Sequence, residues 1–399
     1  MFFTILIFFA VLSLLVFVHE LGHFVVARRF GVKAEEFGFG FPPRAWGLYK
    51  SKDGKWKQVR GNKAVTDAAD TIYSVNYIPM GGFVKIKGEL GPSDGSILGE
   101  TPELEADQDS FFSKKIWERI LIISAGVIMN VVLAAALLSI GFMIGLPQAV
   151  DSNLSARAQV SQRRIQVADV VPGSPAERAG LKAGDTIAGI NGQEFKVYDD
   201  LQKFVSGKLN TPLNYKIKRG EEILDKQITP EVIAETGKPG IGIAVAETAL
   251  VKYPWYEAIW QGINSSISLI WLIIVSFYAL IKSLVMGQGV SGELAGPVGI
   301  AVLTGQVARM GITYLLQFTA LLSLNLAVIN FLPIPALDGG RVLFLLIERI
   351  KGSPVKRELE AIIHNIGFIL LMLLVLVITF RDVSKFKDSF INIWERIIG

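Results

Sequence analysis

The first thirty residues place ionisable side chains inside an apolar run, and this constrains the chain more than any other feature. Residues 2–18 are almost wholly apolar, and apolar character resumes at Phe24–Ala27. Between them lies His19-Glu20-Leu21-Gly22-His23. A helix needs ~20 residues to cross the hydrocarbon core of a bilayer, and the run is long enough. A charged residue at the centre of such a helix costs roughly 2.5–3.5 kcal/mol, so residues of this kind are retained for function. On a helix, positions four apart share a face. With ~1.5 Å of rise per residue, the two imidazoles lie ~6 Å apart along the axis and can share one metal ion. Glu20 then sits beside the ion, placed to take a proton from a bound water. The alternative is the solvated polar end of an amphipathic helix.

Composition agrees with a membrane setting. The 399 residues are 51% hydrophobic and only 19% charged, and the apolar residues are clustered in runs. The formal charge of +4 suits basic flanks of membrane helices better than nucleic-acid binding, and no nucleic-acid partner is expected. There are no cysteines, so any metal must be held by His, Asp or Glu. Only His19, His23 and His364 are available as histidines. His364, near the start of the last apolar run, reads as a structural or interfacial residue, with a place beside the metal ligands as the alternative.

No charge precedes the first run, whereas Arg28, Arg29 and Lys33 follow it. This predicts an uncleaved helix over 1–30 with its N-terminus outside. Residues 31–115 are basic and rich in Gly and Pro, as expected of a cytoplasmic-side segment. Two strands are predicted there, Val32–Phe41 and Ile72–Lys87. The first carries Phe37-Gly38-Phe39-Gly40, and the second carries Ile78-Pro79-Met80-Gly81-Gly82-Phe83-Val84. Such strands suit either a β region dipping into the membrane or an ordinary small sheet. Residues 116–147 read as a second membrane helix that returns the chain to the outside.

Residues 160–250 read as a soluble α+β domain. Gly180–Ile187 followed by the hairpin signal Asn191-Gly192 resembles a bacterial PDZ domain. In that reading Gly240, Ile241, Gly242 and Ile243 form the loop that captures a peptide, which adds as a strand beside it. A domain that only spaces or shields is equally compatible. Residues 251–311, 312–340 and 358–381 contain further apolar runs, and 382–399 is a tail.

A catalytic zinc usually keeps three protein ligands and one open position. The candidate third ligand is Asp338, in Asn330-Phe331-Leu332-Pro333-Ile334-Pro335-Ala336-Leu337-Asp338-Gly339-Gly340. Its two prolines break a helix and free backbone groups.

Taken together, these segments resemble the bacterial site-2 proteases, an intramembrane zinc metalloprotease family, over nearly the whole length. The motif at 19–23, Leu337-Asp338-Gly339, Phe37–Gly40 with its partner Ile78–Val84, Ser124-Ala125-Gly126 through Asn130, and Ser291-Gly292 through Gly296-Pro297-Val298 carry the likeness. The resemblance implies that His19, His23 and Asp338 bind Zn2+ and that Glu20 is the catalytic base. It implies that Asn325 and Asn330 engage the substrate backbone. It also implies a membrane-reentrant β region around Phe37, Gly38, Phe39 and Gly40. The implied substrate is a transmembrane protein, such as an anti-sigma factor or remnant signal peptide, already trimmed by another protease.

Asp338 must reach the depth of His19, toward the cytoplasmic leaflet. That requires 312–336 to run from outside to inside, so 251–311 is expected to lie on the outer surface as an amphipathic region. The expected fold is therefore a polytopic α-helical membrane protein of four spans. It carries a reentrant β region and an extracytoplasmic PDZ domain, and it sits in a bacterial cytoplasmic membrane with both termini outside. Arg381, Lys385 and Lys387 count mildly against that last point. The other readings are a membrane zincin of another family and a catalytically silent PDZ-bearing scaffold.

Overall fold

A computed structural model describes residues 2–89, 107–150, 155, 157–219, 222–233, 237, 239–287 and 295–385. Ser291-Gly292, Gly220 and the tail from 386 onward, with Lys387, lie outside the described residues. The chain divides into two compact units. One comprises Met1–Leu137, Ile263–Arg309 and Phe318–Gly399, and the other comprises Leu138–Gly262 and Met310–Gln317.

Among the described residues, five helices are long and apolar enough to cross a membrane. They are α1 (Phe2–Arg29), α2 (Ile116–Ile144), α5 (Trp255–Val285), α7 (Ile312–Phe331) and α9 (Arg357–Lys385). Shorter helices are α3 (Pro175–Arg178), α4 (Tyr198–Ser206), α6 (Pro297–Met310) and α8 (Asp338–Lys351). Residues 255–285, expected as a surface stretch, form one helix of 31 residues containing an 18-residue window of mean hydropathy 2.1, so length and composition also suit a span. The segment 312–340 is broken at its two prolines. α7 stops at Phe331, and Asp338 opens α8. Pro333 and Pro335 fall in the break, where a residue without an N–H cannot continue the ladder.

In the first unit, β1 (Ala34–Lys50), β2 (Trp56–Arg60) and β3 (Ile72–Ile86) form a sheet in the order β2-β1-β3. Both long strands bend back on themselves. Phe37 therefore faces Val84 on one side and Tyr73 on the other, Gly38 faces Phe83 and Ser74, and Phe39 faces Gly82 and Val75. β3 thus fills both sides of Phe37–Phe39, and that stretch offers no free edge. Among the described residues, 82–86 pair with β1 alone, leaving the other side of that segment without a strand partner. α1 fastens the bend. Ser13 Oγ donates to Pro79 O at 3.2 Å and accepts the Gly81 N–H at 3.1 Å. The rings of Phe17 and Phe24 pack on Phe37 at 5.4 and 4.6 Å.

The second unit contains β4 (Leu146–Ala149), β5 (Gln159–Val170), β6 (Thr186–Ile190), β7 (Leu213–Arg219), β8 (Glu222–Ile228) and β11 (Ile243–Lys252). They form one sheet ordered β4-β11-β5-β6-β7-β8. Alternating inward residues of β7, namely Leu213, Tyr215 and Ile217, join Ile165, Val167, Ile187 and Ile190 in the core, and α4 adds Leu201 and Val205. Asn191 and Gly192 both take positive φ, as a tight hairpin turn requires. Short strands β9 (Glu231–Val232) and β10 (Pro239–Gly240) pair beside the sheet. The carbonyls of Ile241 and Gly242 accept the N–H groups of Ala176 and Val171, both at 2.9 Å. β4 covers β11 only at Thr248–Val251, so 243–246 have a strand partner on one side alone among the described residues.

Asp185 ties this unit together. Its carboxylate accepts two bonds from Arg219 at 2.7 Å and one from the Lys182 N–H at 2.9 Å. Burial pushes the carboxyl up, but the guanidinium and the amide outweigh it and hold the group below its ordinary range. A lowered folded-state value means the stabilisation is present above the unfolded Asp value of about 4 and is lost as pH falls through the folded value. Asp185→Asn is expected to destabilise the unit by about 1–3 kcal/mol, discounted for the partly exposed Arg219. Hydrogen exchange over 213–228 in the full chain should show it at pH 7, with the difference from wild type vanishing under strongly acid conditions.

Candidate metal centre

His19 and His23 stand one turn apart on α1, and both are buried. Their rings meet at 4.8 Å, with the two Nε2 atoms 3.2 Å apart. Asp338 Oδ2, at the start of α8, lies 3.0 Å from His19 Nε2 and 3.5 Å from His23 Nε2. Glu20 completes the acidic and basic cluster, its carboxylate within 4.8 Å of the two ligand nitrogens.

The rings are held from behind. His23 Nδ1 lies 2.9 Å from Ile122 O on α2. A carbonyl only accepts, so Nδ1 carries the hydrogen and Nε2 of the neutral ring presents a lone pair. His19 Nδ1 lies 3.2 Å from the Asn130 side-chain amide, which is fully buried. Asn130 O in turn accepts Ser323 Oγ of α7 at 2.8 Å. Asp338 Oδ2 is buried without a well-directed hydrogen bond, despite its short distances to the imidazoles. The lone pair of His23 Nε2 and the orphaned Asp338 Oδ2, 3.5 Å apart, repel unless a cation lies beside them.

The residues fit zinc by that test. Tetrahedral coordination at bond lengths of about 2.0–2.1 Å separates ligand atoms by about 3.3–3.4 Å. The observed 3.0, 3.2 and 3.5 Å bracket that value. Two histidines and a carboxylate are a donor set for a catalytic zinc with an open fourth position.

Comparison with known proteins decides the class. The model of Peptidase family M50 matches residues 7–60 and 62–374. The chain belongs to this family, the site-2 proteases. A relative in Bacillus subtilis, the regulator of sigma-W protease RasP, is 32% identical over 96% of this chain and 98% of its own. The zinc metalloprotease RasP of Geobacillus kaustophilus is 30% identical with the same coverage of both chains. A solved PDZ domain of an SdrC-like protein from Listeria innocua is 33% identical, covering 21% of this chain and 92% of that one, with a TM-score of 0.19. This M50 protein is accordingly a multi-pass membrane zinc metalloprotease.

The M50 chain brings His19, Glu20, His23 and Asp338 together across more than three hundred residues of sequence. Asn330 lies in the last turn of α7, just ahead of the break. Asn325 gives its side-chain N–H to Leu321 O of its own helix at 2.9 Å. Ile122 and Asn130 escaped the sequence as imidazole partners. So did Gly126, where an added Cβ would lie 2.4 Å from His23 Nε2 and 2.7 Å from His19 Cε1. The small-residue motif Ser124-Ala125-Gly126 was the available signal, because close backbone approach between membrane helices needs small residues. Below the site, Ala27, Ile86, Ile122, Ile123, Val342 and Leu345 form a shared core of α1, β3, α2 and α8. Arg119 of α2 adds an ion pair with Glu348 of α8 at 3.2 Å.

Gly126→Ala is expected to displace the imidazoles while leaving α2 helical. Bound zinc, measured by elemental analysis of purified protein, should fall about tenfold or more, a loss within the range for groups that orient metal ligands.

Proposed function

We propose that this protein is an intramembrane endopeptidase that cleaves transmembrane helices of single-pass membrane proteins, an anti-sigma factor or a remnant signal peptide among them. The observation that carries this reading is the burial of His19 and His23 within α1, an apolar helix long enough to span a bilayer. His19, His23 and Asp338 are the zinc ligands in this reading. When bound, zinc supplies Lewis-acid polarisation of water and of the scissile carbonyl.

Glu20 takes the proton from the attacking water and delivers it to the leaving amine. The substrate helix must unwind, because its own backbone bonds hide the peptide link. The open side of 82–86 offers an extended edge for the unwound piece. Phe37, Gly38, Phe39 and Gly40 support that edge from the strand behind it. Asn325 and Asn330 engage the substrate backbone. The second unit is read as a PDZ domain facing outside, with Gly240, Ile241, Gly242 and Ile243 at its peptide groove, admitting substrates already trimmed there.

The site also supports a topology in a bacterial cytoplasmic membrane. His19 lies in the later part of α1, and Asp338 lies just past the end of α7, so the two helices run the same way. α1 runs from outside to inside, α2 returns, and α7 must enter again from outside. α5 therefore lies along the outer surface, making four spans. Trp255, Trp260, Trp271 and Tyr278 on α5 are all at least 60% exposed, which suits the interfacial zone. A reporter fused after residue 287 should be extracytoplasmic; a cytoplasmic signal removes this topology.

Glu20→Gln should keep zinc and fold while lowering cleavage of a transmembrane substrate at least ~100-fold. Retained cleavage refutes the role of Glu20, whereas a wild type that cleaves nothing while binding zinc favours the silent-scaffold reading. The chain has no cysteine, so single cysteines report cleanly. In the Glu20→Gln background, Val84→Cys should cross-link to a cysteine-bearing substrate helix, and Gln58→Cys on the opposite edge strand should not.

A further inference from the structure

We propose that His364 is a positioning residue for Asp338, holding the backbone corner that presents the third zinc ligand. The inference rests on the ligand assignment above and extends it to the one remaining histidine of the chain. His364 lies on α9, and its Nδ1 accepts the Ala336 N–H at 2.9 Å. Ala336 is two residues before Asp338 and takes φ +77°, a left-handed conformation that an alanine rarely adopts. A residue held there persists only where its surroundings over-determine it. Two features of α9 do so. The imidazole fixes the Ala336 amide. Gly367, nearly one turn further on, meets Pro335 so closely that an added Cβ would lie 2.5 Å from Pro335 Cβ. The loop secures itself as well, with Leu337 N–H on Ile334 O at 3.2 Å. His364 is steadied by the Phe344 ring of α8, 5.5 Å away.

The chemistry needs an acceptor at this point. Nδ1 receives a hydrogen bond, so the ring is neutral there and carries its hydrogen on Nε2. An aliphatic side chain of similar size would keep the packing and leave the Ala336 N–H unpaired. The corner would then be free to relax toward an ordinary alanine conformation, and Asp338 Oδ2 would move away from the two histidines. His364 thus acts on zinc through a backbone amide and a loop, without touching the ion.

The test uses full-length protein in detergent, with His364→Leu, His364→Asn, Gly367→Ala and the exposed neighbour Ile366→Ala as control. Zinc affinity is read by chelator competition, ligand geometry by the visible spectrum of the cobalt-substituted protein, and cleavage as kcat and KM separately. His364→Leu is expected to weaken zinc by about 10–100-fold, to alter the cobalt spectrum, and to lower kcat with little change in KM. Gly367→Ala should act in the same direction, and His364→Asn, which keeps an acceptor, should recover part of the loss. Wild-type zinc affinity with an unchanged cobalt spectrum in His364→Leu overturns the proposal. If His364→Leu does not fold, nitrogen NMR of histidine-labelled wild type decides, since a hydrogen on His364 Nδ1 also overturns it. Asp338→Ala, run alongside, separates the two readings. Retention of zinc there sinks the ligand assignment itself, whereas loss there with none in His364→Leu sinks only the present inference.

Discussion

Three potential metal-ligand atoms pressed together in an apolar setting are the constraint on which the rest of this structure depends. Nε2 of His19, Nε2 of His23 and Oδ2 of Asp338 lie within 3.5 Å of one another. Such a group is unfavourable by itself and becomes favourable around a divalent cation. The surrounding architecture serves to keep it in place. α1 supplies two of the candidate ligands through a single helical turn, and α8 supplies the third from its first residue. α2 contributes backbone at Gly126 and Ile122, which sets how closely the imidazoles can be approached and which nitrogen faces the ion.

The break between α7 and α8 follows from the same requirement. A continuous helix through 312–340 would carry Asp338 onward along the helix axis. Stopping at Phe331 and turning through Pro333 and Pro335 sends the chain back, so that the carboxylate enters sideways. The turn is tight. An added Cβ at Gly339 would lie 2.3 Å from the carbonyl oxygens of Phe331 and Leu332. The prolines and glycines of this segment are one device: residues without an N–H end the first helix, and residues without a Cβ let the second begin against it.

The β region bears on the proposed substrate. In that proposal the peptide bond of a transmembrane helix is hidden by its own hydrogen bonds, and an extended edge would offer replacement partners. β1 and β3 double back so that Phe37–Phe39 becomes an interior strand and 82–86 becomes the border. α1 fixes this border through Ser13 and the stacked phenylalanines, on the same helix that carries the metal ligands. One apolar helix thus bears both the reactive groups and the anchorage of the sheet.

Much of this was legible in the sequence wherever the signal is local. The four-residue spacing of His19 and His23 on a helix, the apolar runs and the hairpin at Asn191-Gly192 each depend on neighbours a few positions away. Asp338 was reachable as a candidate as well, because it is a carboxylate at the end of an apolar run followed by two glycines. Tertiary structure alone decided the rest. That Phe37–Gly40 is interior and 82–86 is the border depends on two bends that bring distant strands together, and alternation along one strand does not encode them. Gly126, Ile122 and Asn130 matter because α2 crosses α1 at the imidazoles, a contact between residues about a hundred positions apart. His364 looked like an interfacial histidine because its partner is a backbone amide, which leaves no trace in side-chain pattern. Sequence periodicity specifies which face of an element is polar or apolar, whereas which backbone atom meets that face is fixed only when the elements pack.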